Sequence, residues 1–235
     1  MPAFNEAGRI DETLAQLRLH LPTLVSDWEI RVVDDGSGDD TARIVEDAAR
    51  ADSRIVLQRE PHRGKGGAVR AGMLAATGNL RFLCDADLSM PLRELSRFLA
   101  LVPAHCDIAI GSREGADARR IGEPPHRHVL GRAFNYVVRA VALEGIHDTQ
   151  CGFKLFTCDA ANAVFPLTSI DGWAFDVEVL YIARRQGLEI RQVPIEWHYD
   201  GQSRVSALRD PLRMLQDVWR IRRNAARAIY DRRCR

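Results

Sequence analysis

Apolar positions along this chain fall into two alternating rhythms. Residues 8–21 carry Ile10, Leu14, Leu17 and Leu21 at helical spacing, which predicts an amphipathic helix behind a loop at residues 1–7. Residues 29–33 are a short β-rich run. It ends in Asp34-Asp35-Gly36-Ser37-Gly38-Asp39-Asp40-Thr41, which supplies turn residues and then a helix N-cap. A helix over 41–51, a strand over 54–58, a helix opening at Gly64-Lys65-Gly66-Gly67 and running through Val69, Met73 and Leu74, and a strand over 80–84 follow. Short strands alternating with helices of about ten residues predict a parallel, layered α/β sheet.

The second half continues less regularly. Helices are predicted over 91–102, 130–143 and 176–186, and strands over 107–111, from the 148–153 turn into 156, and over 189–199, where Pro194 favours a sheet edge. Residues 114–128 turn to Gly, Pro, Arg and His and read as a mobile surface loop. His126 and His128 are metal-ligand types without a nearby partner. The tail, 211–235, is helical in pattern, with eight arginines against two aspartates and an apolar side formed by Leu212, Leu215, Val218, Trp219, Ile221, Ala225 and Ile229. Two readings stand open: an interfacial helix with a basic face on anionic lipid, or a solvated helix packed on its own domain or a partner.

Composition narrows the class. With 235 residues, 46% apolar and 28% charged, the chain has the make-up of one globular domain with a helical appendage, expected at 1–205 and 206–235. A net charge of +1 gives no global field for nucleic acid. Five scattered cysteines without a CxxC pair argue against zinc and disulfides and for a reducing, cytoplasmic setting. No run approaches the ~20 apolar residues that span a bilayer, and no secretory signal opens the chain.

The candidate chemistry centres on Asp85-Ala86-Asp87. If these residues continue the strand over 80–84, the two carboxylates point the same way. At a strand's carboxyl end, where α/β folds place ligands, such a pair suits a divalent cation holding phosphate oxygens. A strand running into a polar turn is the plainer alternative. Glu6 and Asp34/Asp35 sit at or beside other predicted strand ends, so the three acidic groups converge on one crevice. Lys65, Arg113, Lys154 and Arg204 are loop cations within reach of phosphate. The Gly64–Gly67 loop lacks Walker spacing.

Six motifs in order carry a resemblance: Pro2-Ala3-Phe4-Asn5-Glu6, Val33-Asp34-Asp35-Gly36-Ser37, Gly64-Lys65-Gly66-Gly67-Ala68-Val69-Arg70, Asp85-Ala86-Asp87-Leu88, Gly111-Ser112-Arg113 and Asp148-Thr149-Gln150-Cys151-Gly152-Phe153-Lys154. The chain resembles family 2 glycosyltransferases of the GT-A fold, and within them the polyprenyl-phosphate (dolichyl-phosphate) sugar transferases. The resemblance implies a mainly parallel sheet flanked by helices, and inverting transfer of a hexose from a nucleotide diphosphate sugar to a lipid phosphate. By the same resemblance Pro2, Phe4, Glu6, Val32 and Asp34 line the nucleoside pocket, with Asp35 in support. Asp85 and Asp87, with Ala86 between them and Ser89 nearby, meet Mg²⁺ or Mn²⁺ and the diphosphate. Arg113 meets the acceptor phosphate or the diphosphate, while Lys65, Lys154 and Arg204 belong to the phosphate-binding set.

The 148–156 run resembles the glucosyl branch, which favours UDP-glucose; GDP-mannose is the alternative donor. Family members carry a strand before Pro-Ala-x-Asn-Glu, and Met1 stands where it should end. The expectation is that this strand is missing or truncated. With no membrane-spanning helix, a lipid acceptor implies a protein peripheral on the cytoplasmic face of the membrane. Rival readings are a haloacid-dehalogenase-type phosphatase using Asp85 and Asp87, a phospho-receiver domain using Asp34 and Asp35, and a degenerate, non-catalytic nucleotide-sugar binder.

Overall fold

The structure is a computed structural model describing residues 1–124, 138, 141–201 and 210–231. The first strand, β1 (Pro2–Ala3), is short rather than absent. It pairs in parallel with β2 (Ile30–Asp34), with Pro2 opposite Val33 and Ala3 opposite Asp34, and β2 pairs in parallel with β3 (Ile55–Arg59). The Met1 carbonyl accepts from Val33 N–H at 2.9 Å, extending the ladder by one bond.

Period-two alternation on β2 distributes the helices. Ile30 and Val32 face a core shared with Ile10, Leu14 and Leu17 of α1 (Ile10–Leu24) and Val45 of α2 (Thr41–Ala51). Val33 points the other way, so close to α3 (Lys65–Ala75) that a Cβ on Gly72 would meet it at 2.8 Å. Glycine there lets helix and sheet approach.

The second sheet runs in the order β4 (Leu80–Leu83), β7 (Lys154–Thr157), β5 (Ile108–Ser112), β8 (Ile190–Pro194). The pairing is mainly parallel, as expected, with one exception: β7 lies antiparallel between β4 and β5, while β5 and β8 are parallel. Pro194 does end an edge strand, where a missing N–H costs no ladder bond. Again the strands alternate. Leu83, Ile108, Ile110 and Phe156 face the large core under α3, α5 (Cys158–Val164) and α6 (Phe175–Arg185). Ala109 and Leu155 face the smaller one, where α4 (Leu95–Leu101) contributes Leu95 and Phe98. The result is a three-layer α/β/α arrangement.

One further expectation changes, and one of the two open readings of the tail is found. Within the stretch read as a loop, β6 (Arg119–Ile121) pairs in parallel with β9 (Glu196–His198), and Arg120 bonds Glu114 and Glu123 at 2.7 Å each. The tail does form a helix, α7 (Asp210–Ala226), packed on its own domain: Met214, Val218, Ile221 and Ala225 are buried in the large core with α6, while Trp219, expected on the same side, is exposed. The buried side is therefore unavailable to lipid. The helix predicted over 130–143 falls mostly outside the described residues, as do His126 and His128. The described cysteines are all free, and no helix among the described residues is long and apolar enough to cross a membrane.

Candidate active site

Strand ends bring the motifs together. Phe4 and Glu6 follow β1, Asp35 follows β2, Asp85 lies two residues beyond β4, and Arg113 follows β5. Asp85 and Asp87 do not continue the strand: β4 stops at Leu83 and the pair occupies the turn after it, with Leu88 at φ +45°. Strand alternation thus does not orient them. Their surroundings do. Asp85 Oδ1 stands 2.7 Å from Lys65 Nζ, and Asp87 accepts from Ser89 N–H at 3.0 Å. Although Asp87 is exposed at its turn, desolvation by the protein around it, and then the neighbouring Asp85 charge, push its carboxyl above the ordinary pKa. Burial opposes the Lys65 charge, but Asp85, Asp176 and Asp87 outweigh it and raise the ammonium pKa.

The glycine-rich loop is held from two sides. Asp35, almost fully buried, accepts from Arg63 N–H and Gly64 N–H at 2.9 Å each. On the other flank the Asp171 carbonyl accepts from Gly66 N–H at 2.8 Å. Gly64 has φ +115°, and a Cβ on it would meet that carbonyl at 2.6 Å. Only glycine adopts this backbone in this space. The helix that Lys65 begins is thereby seated against Asp85.

Beside it, His62 stacks on Phe4 with ring centroids 4.3 Å apart, and its Nδ1 lies 2.8 Å from Asp35 Oδ2. Asp34 accepts from Ser37 N–H at 3.2 Å. A cleft of about 660 Å³ opens next to these loops, lined in part by Asn5, Glu6, Arg9, Asp87 and Asp200. Arg9 bridges Glu6, at 3.0 Å, and Asp200.

Some anticipated residues lie elsewhere. Val32 is fully buried in the core shared with α1 and α2. Lys154, at 1% exposure, does not close over the crevice. Its Nζ donates to Cys151 O and Asp176 Oδ1, both at 2.5 Å. Arg113 is engaged bidentately with Asp148, Nε at 2.7 Å and a terminal nitrogen at 2.9 Å, and lies over the Trp197 ring. Pro2 stands opposite Val33 in the β1–β2 ladder, and Ala86 O accepts from Thr13 Oγ1 at 2.6 Å. Arg204 is outside the described residues. Conversely, His62, Asp171 and Asp176 had no sequence signal, because their partners are far away in the chain.

The acidic pair suits a hard divalent cation. Both are oxygen donors, and the raised Asp87 pKa marks negative charge that a cation would relieve. Among the described residues no third Asp, Glu, His or Cys joins them. The protein therefore offers part of an oxygen shell that phosphate oxygens and water would complete.

Comparison with known proteins settles the family. The glycosyl transferase family 2 model matches residues 1–165. The chain belongs to glycosyltransferase family 2. This family 2 chain is 37% identical over 219 residues to a dolichyl-phosphate beta-glucosyltransferase of Trichomonas vaginalis, covering 87% of the chain and 64% of that relative. It is 33% identical to the enzyme of that name from Dictyostelium discoideum, covering 94% of the chain and 72% of the relative. With the human one it is 32% identical, covering 94% and 73%. Among solved structures, glucosyl-3-phosphoglycerate synthase of Mycobacterium tuberculosis in complex with Mn²⁺, UDP-glucose and phosphoglyceric acid shares the GT-A fold at TM-score 0.64 and 18% identity, covering 94% of this chain and 76% of that one.

Proposed function

We propose that this glycosyltransferase moves glucose from UDP-glucose to the phosphate of a polyprenyl or dolichyl phosphate, inverting the anomeric centre. The observation that carries the reading is the Lys65–Asp85 pair beside Asp87, at the edge where the sheet's loops meet. Fixed cations next to a dicarboxylate suit a reaction that must assemble polyanions. The relatives' names support the choice of sugar and acceptor.

A phosphate monoester is already anionic near neutral pH, so the attacking oxygen needs no strong general base. The protein's task is to bring two anionic reactants together and to stabilise the departing nucleotide diphosphate. Asp85 and Asp87 would hold Mg²⁺ or Mn²⁺, which when bound supplies Lewis-acid charge to the diphosphate. Lys65 is seated to take up phosphate charge beside that pair. The Phe4 ring and the Asp34 turn would offer an apolar face and an acceptor to the nucleoside, with Asp35 in support through the Arg63–Gly64 loop it holds. Arg113, already fixed by Asp148, presents its remaining N–H edge to the acceptor phosphate or the diphosphate. Lys154 acts from below, neutralising Asp176 under the loop that carries Gly152. In this reading the protein would work at a membrane surface, on its cytoplasmic face.

The test is transfer of label to an organic-extractable product. The protein is incubated with a short polyprenyl phosphate, Mg²⁺ or Mn²⁺, and either UDP-glucose or GDP-mannose. Glucosyl-lipid from UDP-glucose is expected. Mannosyl-lipid would move the donor, nucleotide binding without transfer would make the chain a degenerate binder, and phosphate release alone would return the phosphatase reading.

A further inference from the structure

With its apolar side buried in the core, α7 presents its opposite side to solvent. That side carries Trp219, 70% exposed, beside exposed Arg213, Arg220 and Arg223, with exposed Arg227 in the turn just beyond the helix. The arginines recur at helical spacing, so they form one stripe along 213–227, and no acidic residue interrupts it. Asp217 lies on the flank, half-buried toward Gly172. A lone solvated helix has little reason to expose an indole along the edge of such a stripe. An indole flanked by guanidinium groups matches an anionic bilayer surface, where the ring settles at headgroup depth and the cations meet lipid phosphates and carboxylates.

Position supports the same partner. Met214 Sδ lies 4.0 Å from Gln150 Nε2, within the loop that leads to Gly152. Asp217 Oδ2 would stand 3.9 Å from a Cβ on Gly172, the neighbour of Asp171, which seats Gly66. The helix thus runs past the loops of the candidate active site. We infer that the outward Trp219–arginine stripe of α7 is the docking surface for an anionic lipid bilayer, set beside the crevice that would receive a lipid-borne phosphate. Only this last placement rests on the lipid-phosphate reading; the surface stands on burial and charge.

The experiment is co-sedimentation of the full chain with phosphatidylcholine vesicles, with and without phosphatidylserine. Binding is expected only with phosphatidylserine and is expected to weaken with salt. Arg220→Glu with Arg223→Glu should weaken it by roughly 30-fold or more, at about fivefold per removed arginine. Trp219→Ser should weaken it too, whereas Arg43→Glu with Arg50→Glu, exposed on α2, should leave it unchanged. Absence of binding, equal binding to neutral vesicles, equal binding by the α7 variants, or preference for RNA or an acidic protein over vesicles would each overturn the inference. Sugar transfer is not read in this assay. Transfer to a detergent-dispersed short acceptor, unchanged in Trp219→Ser, reports separately on the proposed reaction.

Discussion

Gly152 has no room for a side chain because Asp85 fills the space: a Cβ there would stand 1.8 Å from Asp85 Oδ2. Asp85 is drawn the other way by Lys65 at 2.7 Å. The carboxylate is thus clamped between a glycine and an ammonium from distant parts of the chain. Three separate motifs of the sequence meet in that one contact.

Gly152→Ala is accordingly expected to displace Asp85 from Lys65. Misplacement on the ångström scale costs about a hundredfold in rate. Sugar-transfer kinetics should show a loss of that order, with far-ultraviolet circular dichroism unchanged.

Asp87→Ala removes one of two candidate metal ligands and lies in an exposed-edge turn, so the fold should persist. Turnover should fall by roughly a thousandfold. Chelation with EDTA should silence the unaltered protein, and Mn²⁺ or Mg²⁺ should restore it. Near-normal turnover of the variant, or indifference to chelation, would remove the acidic pair from the mechanism.

Asp148 is fully buried against Arg113. Burial alone would raise its carboxyl pKa, but the Arg113 charge and hydrogen bonds win and lower it from the ordinary 3.8 to about 2. Because the folded value lies below the unfolded one, the pair's contribution is present above pH ~4 and is lost as pH falls toward about 2. That contribution is about 2 kcal/mol. In Asp148→Asn, urea unfolding should lose this part of its acid dependence. The variant should also be less stable at neutral pH by about 3 kcal/mol, since Arg113 is left without its counter-charge.

A second buried carboxylate ties the C-terminal segment to the active-site loops. Glu178, fully buried, accepts from Ser169 N–H, Ser169 Oγ and Ile170 N–H at 2.8 Å each, and from Tyr230 Oη at 2.7 Å. Burial, and then Glu178, keep the Tyr230 hydroxyl protonated well above its ordinary range. Tyr230→Phe should cost about 1 kcal/mol, since Glu178 keeps three donors. Glu178→Leu, which strands those donors, should cost several times more by thermal unfolding.

Legibility followed the range of the interactions. The helices over 41–51 and 65–75 and the strands near 30, 55, 80 and 108 could be read from periodicity because each buries a face set by its own residue spacing. The antiparallel insertion of β7 could not, because which strand lies between β4 and β5 depends on long-range closure and not on any strand's pattern. The motifs located the site without assigning every side chain. Lys65 stands where a phosphate cation should, while Lys154, equally basic and in an equally suggestive motif, is buried against Asp176. The burial of that lysine is fixed by α6, 22 residues further along the chain.

By itself, then, the sequence determined the layered α/β class, the family resemblance and the acidic pair, because local periodicity and ordered motifs carry those. Tertiary structure alone decided the rest. It placed Asp85 between Gly152 and Lys65, turned Val32 and Lys154 inward, and spent one side of α7 on the core. Contacts between residues distant in the chain set which of two chemically similar side chains is desolvated and which remains able to meet a ligand.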